Sequence, residues 1–258
     1  MWRLNAGATA GGLRAVADAL LSVALAPCCI ACGATLDSPL GSPACHECWA
    51  SIRAPAPPLC VRCGDPLPAW RTRSVECARC PRCRRQPLSI DGGRSAGDYT
   101  EALRHIIHAF KYDRRRTLAA PLGRMMADAG AALLRDADCV VPVPLHPWRH
   151  LTRGFNQAAD LAATLGPPAV NALWRYRLTK SQTGLVAAAR RRNVRNAFRL
   201  SPRLTRRLAD RFVRDRIIVL VDDVKTTGAT LDACARALKD AGAREVRALT
   251  AARAPAPH

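Results

Sequence analysis

The residues best suited to chemistry lie in a short polar stretch late in the chain. Residues 217–221 are all apolar and mostly β-branched, a pattern typical of a strand buried on both faces of a parallel sheet. Asp222 and Asp223 follow, and two adjacent carboxylates can accept hydrogen bonds from the vicinal hydroxyls of a sugar. Small and hydroxyl-bearing residues come next, before apolar residues resume at helical spacing: Thr226, Thr227, Gly228, Ala229 and Thr230.

This stretch predicts a phosphate site between a strand and a helix. A loop of this kind directs backbone N–H groups and the positive end of a helix dipole toward one point. We expect Thr230 to be the N-cap of the helix. The alternative is a plain strand, turn and helix in which the acidic residues only cap and face solvent. The chain contains no G-x-x-x-x-G-K-[ST] loop and no dinucleotide fingerprint, which argues against the common nucleotide-binding motifs.

Cysteine pairs form the second set of residues that could do chemistry. The sequence holds 12 cysteines, and most of them occur in CxxC pairs. Two intervening residues let both thiolates reach one tetrahedral ion, and Gly33 and Gly64 each follow such a pair and would relieve the turn. Repeated pairs favour two structural zinc ribbons over a redox motif. The predicted ligands are Cys29, Cys32, Cys45 and Cys48 in the first site, and Cys60 and Cys63 with a further pair in the second.

Two ligand choices are ambiguous at the level of spacing. Cys28 and Cys29 are adjacent, but only Cys29 has the two-residue spacing to Cys32. In the second site, Cys80 can pair with either Cys77 or Cys83. Closed sites of four thiolates leave no open coordination position, so we expect both to be structural, in place of a core that a module of ~50 residues cannot build from side chains.

The composition indicates which class of protein this is and which kinds of binding partner to expect. A chain of 258 residues can hold an α/β domain and a smaller module. Its net charge of +20 and pI of about 10.7 favour polyanions such as nucleic acid or phosphorylated ligands. The arginine excess also fits the codon usage of a GC-rich genome. Cysteines at metal-ligand spacing in a chain of this length indicate a reducing cytoplasm.

The N-terminal region has an apolar run that ends at Cys28 and faintly resembles a lipoprotein signal. Asp18 interrupts that run, and Pro27 stands before the cysteine, where a small residue is needed. We predict an amphipathic helix within residues 1–27 instead. No apolar stretch reaches the roughly 20 residues that cross a bilayer, so no membrane span is expected.

The elements that must position the acidic pair begin near residue 90. Apolar residues at 103, 106, 107 and 110 share one helix face, and the helix ends in the cations Lys111, Arg114, Arg115 and Arg116, which a helix dipole alone would explain. Residues 139–149 predict a strand followed by a turn stiffened by prolines. The arginine-dense residues 190–198 indicate either a mobile lid or a solvated surface loop. Together, the order of strands and helices predicts a doubly wound parallel sheet with the site at a topological switch point.

The stretch at residues 217–230 resembles the ribose-5-phosphate loop of type I phosphoribosyltransferases. Further strings narrow the resemblance to the ComF family of competence-associated proteins. These are the cysteine pairs, Phe110-Lys111-Tyr112, Arg153-Gly154-Phe155-Asn156-Gln157, and the residues Gln182, Leu185, Asn193, Ala197 and Phe198 with Arg191 or Arg192. The resemblance spans residues 29–253.

The resemblance implies an architecture and a set of site residues. It implies a double zinc ribbon at 28–88 and a type I phosphoribosyltransferase-like domain with a parallel sheet at 89–258, with Cys80 and Cys83 as ligands and Cys77 spare. It implies phosphoribosyl pyrophosphate bound with Mg²⁺, the catalytic Asp222 and Asp223 lying on the ribose and residues 226–230 on the 5-phosphate. Lys225 would add a cation, where the family more often has an aliphatic residue, and Lys111 would face the cleft. Pro144, Leu145 and Arg149 would grip the pyrophosphate.

For function, the resemblance implies a phosphoribosyltransferase of unknown acceptor that acts in DNA uptake or processing during natural transformation. The alternative on the same fold is a non-catalytic module that senses the ligand and binds single-stranded DNA. A third possibility is a regulator whose ribbons contact duplex DNA. Expected partners are phosphoribosyl pyrophosphate, single-stranded DNA and proteins of the competence machinery. Few aromatic residues lie among the arginines, which argues weakly against strong base stacking.

Overall fold

The computed structural model describes residues 18, 26–68, 78–145, 154–176 and 197–254. Its centre is a parallel sheet of four strands: β1 (Gly92–Asp98), β2 (Cys139–Pro142), β5 (Ile217–Lys225) and β6 (Glu245–Arg253). Their spatial order is β1-β6-β5-β2. A short antiparallel ribbon is formed by β3 (Leu173–Arg175) and β4 (Phe198–Leu200).

The central strand β5 is buried on both faces, as its uninterrupted apolar run predicts. It pairs with β6 on one side and with β2 on the other. Val219 and Val221 belong to one apolar cluster, while Ile218 and Leu220 belong to a second on the opposite face. The fold prediction of a parallel α/β sheet is therefore confirmed.

Helices cover both faces of this sheet. The face carrying Val219 is covered by α3 (Glu101–Tyr112), α4 (Ala119–Ala129) and α6 (Gln157–Ala162), and α4 is followed by the short α5 (Ala131–Leu134). The opposite face is covered by α8 (Ala229–Asp240) together with the β3–β4 ribbon, and α7 (Arg206–Phe212) precedes β5. The helices α3, α4, α6 and α8 each present buried apolar residues to the sheet, which accounts for the two separate clusters.

The chain changes direction across the sheet between β2 and β5. After β2 it passes through α6 to a bridge between Val140 and Ala169 on the outer side of β2. After β5 it passes through α8 to β6 on the other side of β5. Connections that diverge in this way leave a crevice at the carboxyl ends of the two strands, which is where ligands bind in open α/β sheets.

Two cysteine modules precede β1, and they share one local geometry. The first contains α1 (His46–Ala50) and the second contains α2 (Pro81–Arg85). The N–H of Gly33 donates to the Cys29 carbonyl at 2.9 Å, and that of Gly64 donates to the Cys60 carbonyl at 2.8 Å. Both glycines have φ near +75°, with values of 77° and 71°. Such a turn suits glycine, which has no Cβ to clash, as the sequence pattern predicts.

Several sequence predictions lie outside the described residues. These are the lid at 190–196, most of the predicted helix at 1–27, Arg149, Arg153 and Cys77. Asp18 is described, and its carboxylate accepts a hydrogen bond from the Leu40 N–H at 2.9 Å. Among the described residues, no helix combines the length and the apolar character needed to cross a membrane.

Candidate ligand site and metal centres

The acidic pair lies at the carboxyl end of β5, beside the crevice. Lys111, at the end of α3, places its Nζ 2.8 Å from Oδ1 of Asp223. The backbone N–H of Asp223 donates to Oδ1 of Asp222 at 2.9 Å. The fold thus brings together two predicted site carboxylates and the lysine that the resemblance places in the cleft.

The two carboxylates differ in their electrostatic surroundings. Burial, and then the negative charge of Asp223, raises the pKa of Asp222 to about 7, against a partial opposing effect of the Lys111 ammonium. Asp223 keeps Lys111 as its direct ion-pair partner. A site that holds two adjacent carboxylates with one lysine is short of positive charge, so a cation or sugar hydroxyls would relieve the repulsion.

The loop after the acidic pair turns sharply into α8. Helix α8 begins at Ala229, and its N-cap is Gly228 in the left-handed region, at φ +70°. The prediction that Thr230 is the cap is therefore wrong, because the glycine lets the chain enter the helix two residues earlier. Oγ1 of Thr227 accepts a hydrogen bond from the N–H of Ala229 at 3.4 Å.

Lys225 does not supply the extra cation that the sequence suggests for this loop. Its side chain is buried, and its Nζ lies 2.6 Å from the Cys63 carbonyl oxygen and 2.6 Å from Oδ1 of Asp65. A buried ammonium needs such acceptors, and here the second cysteine module provides them. The assignment of the Lys225 side chain to the ligand is corrected accordingly, and Asp65 is a residue that sequence reasoning missed.

The proline-containing turn after β2 lies across the crevice from the loop. The N–H of Val143 donates to the Val221 carbonyl at 2.9 Å, which carries the β2–β5 pairing to the start of the turn. Pro144 and Leu145 follow at the same edge of the sheet. The predicted phosphate loop and the predicted pyrophosphate loop therefore end neighbouring strands.

Asn156 and Gln157 connect the start of α6 to both sides of the site. Nδ2 of Asn156 donates to the Val143 carbonyl at 3.2 Å, while its Oδ1 caps α6 by accepting from the N–H of Ala158 at 3.2 Å. Nε2 of the buried Gln157 lies 3.5 Å from the Lys111 carbonyl oxygen. The sequence predicts that a helix starts at Asn156 and Gln157. It does not predict that these residues contact the turn after β2 and the end of α3.

The structure gathers the eight predicted cysteines into two groups. Within each group the Sγ atoms lie within 4.8 Å of one another: Cys29, Cys32, Cys45 and Cys48, and Cys60, Cys63, Cys80 and Cys83. A tetrahedral zinc site with Zn–S bonds of about 2.3 Å has S···S edges of about 3.8 Å. The Sγ pairs Cys29–Cys48, Cys32–Cys45 and Cys63–Cys80 are each 3.7 Å apart. Both groups fit a zinc ion.

Backbone N–H groups also point at the sulfur atoms. The N–H of Cys45 lies 3.3 Å from Sγ of Cys29, and the N–H of Cys80 lies 3.3 Å from Sγ of Cys60. Donors of this kind stabilise thiolates, the form that binds metal.

The first module packs into the same apolar cluster as α3, and the Ala31 carbonyl lies 3.0 Å from Nδ1 of His105.

Comparison with known proteins agrees with this architecture. A family model described as phosphoribosyl transferase domain matches residues 151–258. The chain is 33% identical to Competence protein F of Haemophilus influenzae over 220 residues, which cover 81% of this chain and 90% of that protein. It is 34% identical to DNA utilization protein YhgH of Salmonella typhi over 79% of this chain and 87% of that protein. Competence protein ComFC of Bacillus subtilis is 26% identical over 77% and 78% of the two chains.

The fold and the matched domain thus define a protein with a phosphoribosyltransferase-type domain, preceded by two tetracysteine modules. At this identity and coverage, the chain belongs to the ComF family of competence-associated proteins.

Proposed function

We propose that the chain binds phosphoribosyl pyrophosphate with Mg²⁺ and acts as a phosphoribosyltransferase-type protein in DNA uptake or processing. One observation carries the proposal. The acidic pair with Lys111, the turn at residues 226–230 and the turn at Pro144 all meet at the carboxyl edge of β5 and β2. A ribose that bears a phosphate at one end and a pyrophosphate at the other matches this sequence of groups.

Each element has a distinct role in the proposal. The N–H groups of residues 226–230 and the positive end of α8 bind the 5-phosphate, while Asp222 and Asp223 accept hydrogen bonds from the ribose hydroxyls. The turn with Pro144 and Leu145, continued by Arg149, holds the pyrophosphate. When the bond from C1 of the ribose to pyrophosphate breaks, positive charge develops on the ribose, and the carboxylates stabilise it. Catalysis then depends on positioning and electrostatics, with an acceptor nucleophile completing the transfer.

The donor set fits a divalent cation as well as a sugar. Carboxylate oxygens are the ligands that Mg²⁺ prefers, and Asp222 and Asp223 place two carboxylates side by side in partly buried positions. The ion would neutralise charge on the pyrophosphate as it leaves. The raised pKa of Asp222 shows that its charged form is disfavoured in the site without ligand, and a cation bound beside it would lower that pKa.

The direct test is calorimetric titration of the zinc-loaded protein with phosphoribosyl pyrophosphate and Mg²⁺. We expect saturable binding by the wild type and none by the double variant Asp222→Asn and Asp223→Asn, which changes little volume but removes both charges. Binding by the double variant with unchanged affinity would contradict the assignment of the acidic pair. A screen of nucleobases for pyrophosphate release then tests turnover separately from binding.

A second candidate function is binding of single-stranded DNA without catalysis. Arg114 and Arg115 are exposed at the end of α3, next to Tyr112, which is 58% exposed. Cations beside an exposed aromatic ring suit a nucleic-acid backbone and a stacked base. This surface adjoins Lys111 of the ligand site, so a module that senses the ligand and binds DNA is supported by the same helix.

A further inference from the structure

The second cysteine module is fixed against the ligand loop from two directions. Lys225, the last residue of β5, is bonded to Asp65 and to the Cys63 carbonyl, and the loop begins at the next residue. Directly after the module, the N–H of Ser89 donates to Oδ1 of Asp232 in the first turn of α8, at 2.6 Å. The module is thus connected to the strand before the loop and to the helix after it.

The close approach extends to the backbone. A Cβ atom on Gly64, directly after the metal ligand Cys63, would collide with the carbonyl oxygen of Gly93 in β1. No other residue type fits there without displacing the strand. The position of the module relative to the sheet is therefore set by packing at Gly64 as well as by the ion pair between Lys225 and Asp65.

Arg82 of this module lies over the loop. It stands in α2 between the ligands Cys80 and Cys83, and its Nη2 is 3.5 Å from the point that a Cβ atom on Gly228 would occupy. Nη2 is buried and has no hydrogen-bond partner among the described residues. Arg84 and Arg85 of the same helix are exposed to solvent instead.

A buried guanidinium nitrogen without an acceptor is costly, since it has lost its hydrogen bond to water and has no other in its place. The carboxylate of Asp65 is close enough to interact with Arg82 through its charge, but it is hydrogen-bonded to Lys225 and forms no hydrogen bond with Nη2. Guanidinium groups bind phosphate oxygens through short, charge-assisted hydrogen bonds. An anion held by residues 226–230 would supply the acceptor that Nη2 lacks among the described residues.

We propose that Arg82 is a ligand-binding residue, contributed by the second tetracysteine module to the phosphate held at residues 226–230. The module then completes the ligand site as well as supporting the fold. This proposal rests on the proposed function, in which that loop binds the 5-phosphate of phosphoribosyl pyrophosphate.

The test is calorimetric titration of the full-length, zinc-loaded protein with phosphoribosyl pyrophosphate and Mg²⁺, using three variants. Arg82→Gln removes the charge and is expected to weaken binding about tenfold or more, the effect of losing one charge-assisted hydrogen bond. Arg82→Lys keeps the charge without the planar fork and should fall between Arg82→Gln and the wild type. Arg84→Gln removes the same charge from the exposed face of α2 and should bind within about twofold of the wild type.

Zinc content separates a binding role from a structural one. We expect all three variants to retain the zinc stoichiometry of the wild type, because Arg82 is not a ligand of the metal. If Arg82→Gln and Arg82→Lys both bind as tightly as Arg84→Gln, the role of Arg82 is overturned while the proposed function stands. If the wild type itself does not bind, the proposed function and this inference are overturned together.

Discussion

At the scale of single residues, the site holds two adjacent carboxylates that repel each other in the absence of ligand. Asp222 and Asp223 are adjacent on β5, and Lys111 pairs directly with Asp223. Asp222 is buried and is repelled by the charge of Asp223, and these two effects raise its pKa to about 7. The unliganded protein therefore keeps a destabilising carboxylate at a position that the proposed ligand would use.

This arrangement predicts a pH-dependent cost in stability. A carboxyl whose folded-state pKa is raised from 3.8 to about 7 binds a proton in the folded chain that the unfolded chain has already released, so stability falls as pH rises between those values. Asp222→Asn removes this loss. We expect the variant to exceed the wild type by about 1 to 3 kcal/mol at pH 8 and to match it near pH 4, measured by denaturant unfolding without ligand.

The control is Asp240→Asn, at the last residue of α8. It removes the same charge from an exposed position, so its effect on the difference between pH 4 and pH 8 should be smaller than that of Asp222→Asn. An Asp222→Asn variant that is less stable than the wild type at pH 8 would show instead that the Asp222 carboxylate is stabilised in the folded protein.

At the scale of elements, the sequence predicted the strand at 217–221, both cysteine pairs of the first module and the helix with its apolar face at residues 103–110. Each of these has a strong local signal: an uninterrupted apolar run, a fixed cysteine spacing, or apolar residues on one face. The helix cap was misplaced because several small residues could serve, and backbone dihedral angles decided in favour of Gly228. The side chain of Lys225 was misassigned because its partner, Asp65, is distant in sequence and no local pattern indicates it.

The end of α3 tests the DNA-binding candidate at this scale. Arg116 is engaged, since its guanidinium forms two hydrogen bonds with Asp160 and lies over the Phe155 ring. Arg114→Gln with Arg115→Gln therefore removes exposed charge while leaving that packing intact. We expect the salt dependence of single-stranded DNA affinity to flatten by up to about 1.4 in log-log slope, at about 0.7 per phosphate contact.

The matched control for charge is Arg206→Gln with Arg207→Gln, two exposed residues at the start of α7. If single-stranded DNA contacts the end of α3 and not α7, this pair should leave the salt-dependence slope unchanged. Equal flattening by both double variants would show that only net charge matters, and an unchanged slope for the α3 pair would remove this helix end from the footprint.

The metal sites give a second test at the scale of elements. Eight thiolates in two closed groups predict about two zinc ions per chain. Cys63→Ser should lower the zinc content by about one, and Cys77→Ser should leave it unchanged, both measured by elemental analysis of protein purified under reducing conditions. Protein without zinc under those conditions would end the zinc-ribbon interpretation.

At the scale of the whole molecule, the second module and the sheet are joined through a buried charge. Burial alone would raise the pKa of Asp65, but the Lys225 ammonium brings it below its usual value. Removing one partner leaves the other charge buried and uncompensated, which typically costs about 3 to 5 kcal/mol. We expect Lys225→Met to destabilise the protein by about 3 kcal/mol, since Asp65 is 24% exposed and keeps some water.

The double variant Lys225→Met with Asp65→Asn provides the control for that experiment. Because it removes both charges together, it should be more stable than Lys225→Met alone. Denaturant unfolding of the wild type, Lys225→Met, Asp65→Asn and the double variant measures the coupling free energy between the two side chains. Additive losses would mean that the ion pair does not join the module to β5.

If the loop after β5 binds a phosphorylated ribose, that ligand should raise the melting midpoint of the protein. With phosphoribosyl pyrophosphate at a hundredfold excess over its dissociation constant and Mg²⁺ present, binding to the folded state stabilises by about 2.7 kcal/mol. At roughly 2 to 4 °C per kcal/mol for a chain of this size, the wild-type midpoint should rise by several degrees.

Two glycine variants make that measurement specific to the loop. Gly228 and Gly166 both have positive φ, at 70° and 95°, so an alanine at either position strains the backbone by about 1 to 2 kcal/mol. Only Gly228 lies in the loop. We expect Gly166→Ala to keep the ligand-induced rise and Gly228→Ala to lose most of it. A wild-type midpoint that does not move with ligand up to millimolar concentration would show that the loop does not bind this ligand.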